Sequence, residues 1–68
     1  MKVQITIKAE SKAILEDIAV CAAKYWSSKT ITGDMMTLNY IYEHGNKIHD
    51  DVDASQVEAL GGEIVSIS

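Results

Sequence analysis

The densest run of potential ligands in the chain is "HGNKIHDDVD", His44 to Asp53, which holds two histidines and three aspartates in ten residues. Such a run suits metal ligation or acid–base transfer. Across a hairpin turn His44 and His49 can approach one another, and Asp50 or Asp51 would add a carboxylate. The spacing matches neither H-E-x-x-H nor paired C-x-x-C. It also lacks the alternating oxygen ligands and closing glutamate of an EF-hand loop. Several of its residues have structural work to do: Gly45 and Asn46 suit a turn, and Asp53 suits a helix N-cap. The run therefore reads first as solvated turn residues. A small metal protein or enzyme centred on His44 and His49 is the alternative. No cofactor is expected, and no catalytic or metal-ligating residue is assigned.

Other routes to catalysis find little support. No serine sits in a G-x-S-x-G elbow. The carboxylate pairs Glu16/Asp17 and Asp50/Asp51 are sequence neighbours, which point apart on a helix or strand. The double glycine Gly61–Gly62 closes a helix, whereas a phosphate cradle opens one. A chain of 68 residues makes one small domain, short of the loops that enclose a small molecule unless it dimerises. The expectation is a non-catalytic protein.

Charge narrows the partner. The net charge is −4, and there is no arginine. Residues 1–33 hold five lysines against three acids, a net of +2, while residues 34–68 hold one lysine against seven acids, a net of −6. Nucleic-acid binders show a basic face and favour arginine, so no nucleic acid is expected. An acidic half suits a basic protein partner. Cys21 is alone, which excludes an intrachain disulfide; within "IAVCAA" it reads as a buried hydrophobe in a reducing, cytoplasmic setting. The start lacks the apolar core of a signal peptide. No apolar run approaches the roughly 20 residues of a membrane span. With no proline and no low-complexity tract, the expectation is a complete, soluble, compact chain.

The elements that would position these residues follow from periodicity. "KVQITIK" alternates Val3, Ile5 and Ile7 against Lys2, Gln4, Thr6 and Lys8, the pattern of a half-buried strand. Ser11 is a good N-cap for a helix over 12–28. Its apolar face comprises Ile14, Leu15, Ile18, Cys21, Ala22, Tyr25 and Trp26, with Val20 turned to solvent. "SSKTITGD" reads as a connection. Met36, Leu38, Tyr40 and Tyr42 alternate along a strand near 35–43, and Gly45–Asn46 lead into a short strand near 47–50. Asp53 and Gln56 form a capping-box pair for a helix at 54–60. Val52 and Val57 hold the staple positions, and Gly61 follows as C′. "EIVSIS" is a last strand. The order β-α-β-β-α-β predicts an α+β fold, a ferredoxin-like two-layer sandwich with two helices on one face of an antiparallel sheet.

On such a scaffold the residues with partner-binding chemistry are Asp50, Asp51, Glu43, Tyr42 and Trp26. The acids would meet a lysine- or arginine-rich protein, and the aromatics would anchor it. Tyrosines on a ferredoxin-like sheet can also stack RNA bases, but the first strand offers Gln4 and Thr6 in their place. Self-association is a further expectation: a homodimer through a sheet edge or the broad first helix, or a structural subunit of a larger homo-oligomer.

The opening "MKVQITIKAESKAILEDIAV", the short length, the absence of tails and the acidic balance together resemble the small accessory proteins of bacteriophages and prophages. That resemblance implies a protein that binds and modulates a host protein. It carries no functional residue with it.

Overall fold

A computed structural model describes residues 1–68. Alternation makes the first strand, β1 (Lys2–Ala9), with Val3, Ile5, Ile7 and Ala9 buried on one face. The Ser11 side chain accepts the Ile14 N–H (3.2 Å) and starts α1 (Lys12–Cys21). Two strands follow, β2 (Ser28–Thr32) and β3 (Met35–Ile41), then one helical turn, α2 (Ile48–Asp51), a short helix α3 (Ala54–Ala59), and β4 (Gly62–Ile67). The result is an α+β fold: one four-stranded sheet in the order β2-β3-β1-β4, every neighbouring pair antiparallel, with three helices.

The expected β1, β3 and β4 form close to their predicted bounds. So does the helix after Asp53, whose carboxylate accepts the Gln56 N–H (3.1 Å). Val52 and Val57 are both buried. Gly61 follows the helix with φ +99°.

Three expectations are corrected. Residues 28–32 were expected as a connection and form an edge strand. Two-residue hairpins favour a turn with positive φ at the first central position; Gly33 supplies it at +62° between the paired Thr32 and Met35. Helix α1 ends at Cys21 rather than at 28. Ala23 leaves it to form a β-bridge with Val52, and Tyr25 takes a left-handed φ of +66°. Residues 48–51 are helical rather than a strand. Asn46 Oδ1 accepts the Ile48 N–H (2.8 Å), and the buried Ile48 anchors the turn to the core.

The core lies between the sheet and the helices. Its buried residues are all hydrophobic, from Val3, Ile5 and Ile7 of β1 and Met36, Leu38 and Tyr40 of β3 to Leu15, Ile18 and Ala19 of α1. The buried residues of α1 are Leu15, Ile18 and Ala19, followed by the buried C-cap Ala22. Cys21, expected to be buried, is exposed. Val20 is 77% exposed, as its place on the polar side predicts.

The pairing gives the sandwich two unlike ends. At one end Glu10–Ser11, Gly33–Asp34 and Leu60–Gly61 make two-residue connections. At the other, residues 22–27 and 42–47 are six-residue connections, joined by α2 and both chain termini.

Candidate functional site

All five residues expected to bind a partner come to the long-loop end. Tyr42 and Glu43 leave the last residue of β3, Asp50 and Asp51 lie on α2, and Trp26 precedes β2. Backbone bonds tie these loops together. Lys24 N–H donates to the Asp51 carbonyl (2.8 Å), and Asp53 N–H donates to the Ala22 carbonyl (2.8 Å). The terminal amino group of Met1 donates to the Tyr42 carbonyl (2.7 Å), and Tyr42 N–H donates back to the Met1 carbonyl (2.8 Å).

The side chains form a small aromatic–acidic network. Tyr40 lies on β3 and Tyr42 just beyond its end, two residues on, where continued extension keeps them on one face. Their rings stack with centroids 5.7 Å apart and planes 10° from parallel. The Tyr42 hydroxyl donates to Asp51 Oδ2 (2.8 Å). Tyr40 is only 1% exposed, and its hydroxyl has no hydrogen-bond partner. Burial first, and then the Asp51 charge, push the Tyr40 phenol up to about 12. Burial, followed by the hydrogen bond and charge of Asp51, pushes Tyr42 higher still. Both phenols stay protonated at neutral pH, and Tyr42 acts there as a donor holding Asp51 in place. Asp50 and Glu43 project freely.

Trp26 is half-buried, and its Nε1 donates to the Ala19 carbonyl (2.9 Å). The Lys29 amine lies 5.6 Å from its ring centroid, within range of a cation–π contact. The neighbouring Tyr25 was expected on the buried face of the helix and is instead 83% exposed. Left-handed backbone disfavours an L-residue with a bulky side chain, so a strained position holds an exposed tyrosine. Nothing in the sequence marked this residue, because the stop that ends α1 is a tertiary bridge and not a glycine or proline. The stacking of Tyr40 on Tyr42 did have a signal, in their alternation with Ile41.

The histidines are not gathered into a centre. The hairpin that would have brought His44 to His49 is replaced by α2. His44 is almost fully exposed, with Nε2 3.9 Å from the Glu43 carboxylate, and His49 is exposed on α2. No three histidine, cysteine, aspartate or glutamate side chains are grouped to hold a metal ion.

The one concavity of the molecule lies on the opposite, helix-free face of the sheet, a groove of about 390 Å³ lined by Lys2, Gln4, Ser28, Asn39 and Ile41 among others. A polar ladder crosses its floor: Gln4 Nε2 donates to Asn39 Oδ1 (2.9 Å), and Asn39 Nδ2 donates to Ser28 Oγ (3.1 Å). These groups bond one another, and none of Asp50, Asp51, Glu43, Tyr42 and Trp26 lies there. No helix is long and apolar enough to cross a membrane.

Comparison with protein-family models, with curated proteins and with solved structures gives no match to this chain.

Proposed function

We propose that this chain is a small, non-catalytic protein-binding module whose long-loop end docks against a basic surface of a partner protein. The observation that carries the reading is the convergence there of Tyr25, Trp26 and Tyr42 with Glu43, Asp50 and Asp51. Aromatic anchors fringed by charge are what a contact hot spot is made of. The exposed tyrosine in left-handed backbone strengthens the reading. Strain at a surface position is retained where the surrounding structure over-determines it, and such positions cluster at functional sites. The resemblance of the opening segment to phage accessory proteins makes a host protein the favoured partner.

The fold reading is ferredoxin-like. It is supported by the strand order, read from β4 as β4-β1-β3-β2, and by α1 linking β1 to β2 with β3 between them. The second helical layer is then shared between α2 and α3, where the plain motif has one helix.

The test is affinity capture from bacterial lysate with the native chain and with Glu43→Lys/Asp50→Lys. Both residues are exposed, so the pair reverses charge without touching the Tyr42–Asp51 bond. The expected result is one protein held in near-equimolar amount by the native chain, released by salt, and lost with the variant. A protein retained equally by both would remove the acidic end from the account.

A further inference from the structure

The two edges of the sheet are protected unequally. Isolated edges invite pairing with another chain and are usually blunted by lysine, proline, inward charge or a bulge; of these β4 has only the bulge. At one edge, β2 carries Lys29 and a single apolar residue, Ile31. At the other, β4 carries no lysine or proline and one charge, Glu63.

The apolar residues of β4 lie in a row. Ile64 pairs with Ile7 and Ile67 with Ile5, so both face the helix side, although they are three residues apart. A bulge opposite Thr6/Ile7 absorbs the odd residue. The short α3 leaves this row incompletely covered: Ile64 is only partly buried and Ile67 is 39% exposed. Val65, in the bulged stretch, is 50% exposed.

We infer that β4 is a homodimer interface, at which two copies join their sheets by antiparallel β4–β4 pairing. A twofold axis between Val65 and Ser66 would place Ile64 opposite Ile67 of the second copy. The bulge is what makes this register work, since without it residues three apart would lie on opposite faces. The same register sets Val65 beside Ser66 at the axis and moves Glu63 out to the ends of the paired strands, beside Ser68, so that its two copies do not face each other. The paired strands would gain a ladder of main-chain hydrogen bonds and cover four isoleucines in one continuous row. This interface is independent of the docking proposed for the long-loop end.

The mass of the native chain in solution tests the inference, measured by light scattering over a concentration series. The expected mass is twice the 7.4 kDa of one chain. Val65→Lys, which sets two like charges beside the axis, should raise the dimer dissociation constant at least about tenfold while leaving the circular dichroism unchanged. Thr30→Lys on β2 should leave the dimer intact. As a check that does not depend on a weakened interface, Val65→Cys in a Cys21→Ser background should cross-link efficiently with a short bis-thiol reagent, and Thr30→Cys should not. A monomer up to about millimolar concentration, where even weak association shows, would overturn the inference. So would a dimer unaffected by Val65→Lys, or one lost through Thr30→Lys instead.

Discussion

The two ends of this sandwich are built by different rules. At the short-turn end the chain reverses in two residues each time, through Glu10–Ser11, Gly33–Asp34 and Leu60–Gly61. Where β4 begins, packing is tight. A Cβ on Gly62 would meet Val57 Cγ1 at 3.0 Å and Val57 O at 3.2 Å, and would collide with Ile18 Cδ1. At the long-loop end two six-residue connections and α2 carry Tyr25, Trp26, Tyr42, Glu43, Asp50 and Asp51; Trp26 and Tyr42 pack against the core, while Tyr25 is exposed and held in a conformation that costs stability. On the proposed reading, stability and recognition are assigned to opposite ends. Rigid scaffolds with functional loops at one rim commonly divide the labour in this way.

The division can be broken most forcefully at Gly62. Gly62→Ala should destabilise the fold by roughly 1–3 kcal/mol through overpacking, read as a shift in the denaturant midpoint. A neutral result would mean that the packing between Ile18 and Val57 is looser than the contacts indicate.

Next in size is the aromatic network. Tyr42→Phe should cost roughly 1 kcal/mol, the worth of a hydrogen bond to a partly buried carboxylate. Alkaline pH probes the same network. The unfolded chain releases its tyrosine protons near pH 10, while folded Tyr40 holds its proton to about 12 and Tyr42 beyond that. The unfolded state therefore sheds protons first, and stability contributed by the two phenols is complete below pH 10 and falls as pH rises above it. Denaturant melts taken across that range should show this decline, shallower in Tyr42→Phe than in the native chain.

A smaller effect, of opposite sign, is expected at Tyr25. Tyr25→Gly should stabilise the chain by roughly 0.5 kcal/mol, because relief of the left-handed backbone outweighs the entropy that glycine adds to the unfolded state. It should weaken partner capture at the same time. Smallest of all, Glu43→Lys/Asp50→Lys should move stability by less than about 0.5 kcal/mol, as for most surface changes, while abolishing capture.

The sequence revealed the parts of this fold that local chemistry decides. Alternation marked β1 and β3, the Ser11 and Asp53 caps marked the helix starts, and Gly61 marked a helix end. The parts decided by tertiary contact were hidden. β2 has one apolar residue in five and so lacks the period of a buried strand; its only local sign is Gly33–Asp34, a two-residue hairpin pair. The apolar spacing of α1 runs on through Ala22, Ala23 and Trp26, but the Ala23–Val52 bridge ends the helix. The turn at 48–51 owes its form to Asn46 and to burial of Ile48. Of the candidate site, the five residues named from charge and aromaticity do share one end of the molecule. The exposure of Tyr25 and the unpartnered Tyr40 hydroxyl depend on neighbours distant in sequence and were not legible.

The central claim, that recognition belongs to the long-loop end, is tested most directly by titrating the labelled chain with a lysine- and arginine-rich peptide and following the backbone amide shifts. The account predicts changes confined to residues 24–27 and 42–51, suppressed by salt and absent in Glu43→Lys/Asp50→Lys. Shifts spread evenly over the other acids, Glu10, Glu16, Asp17, Glu58 and Glu63, or centred on the groove beside Gln4 and Asn39, would contradict it.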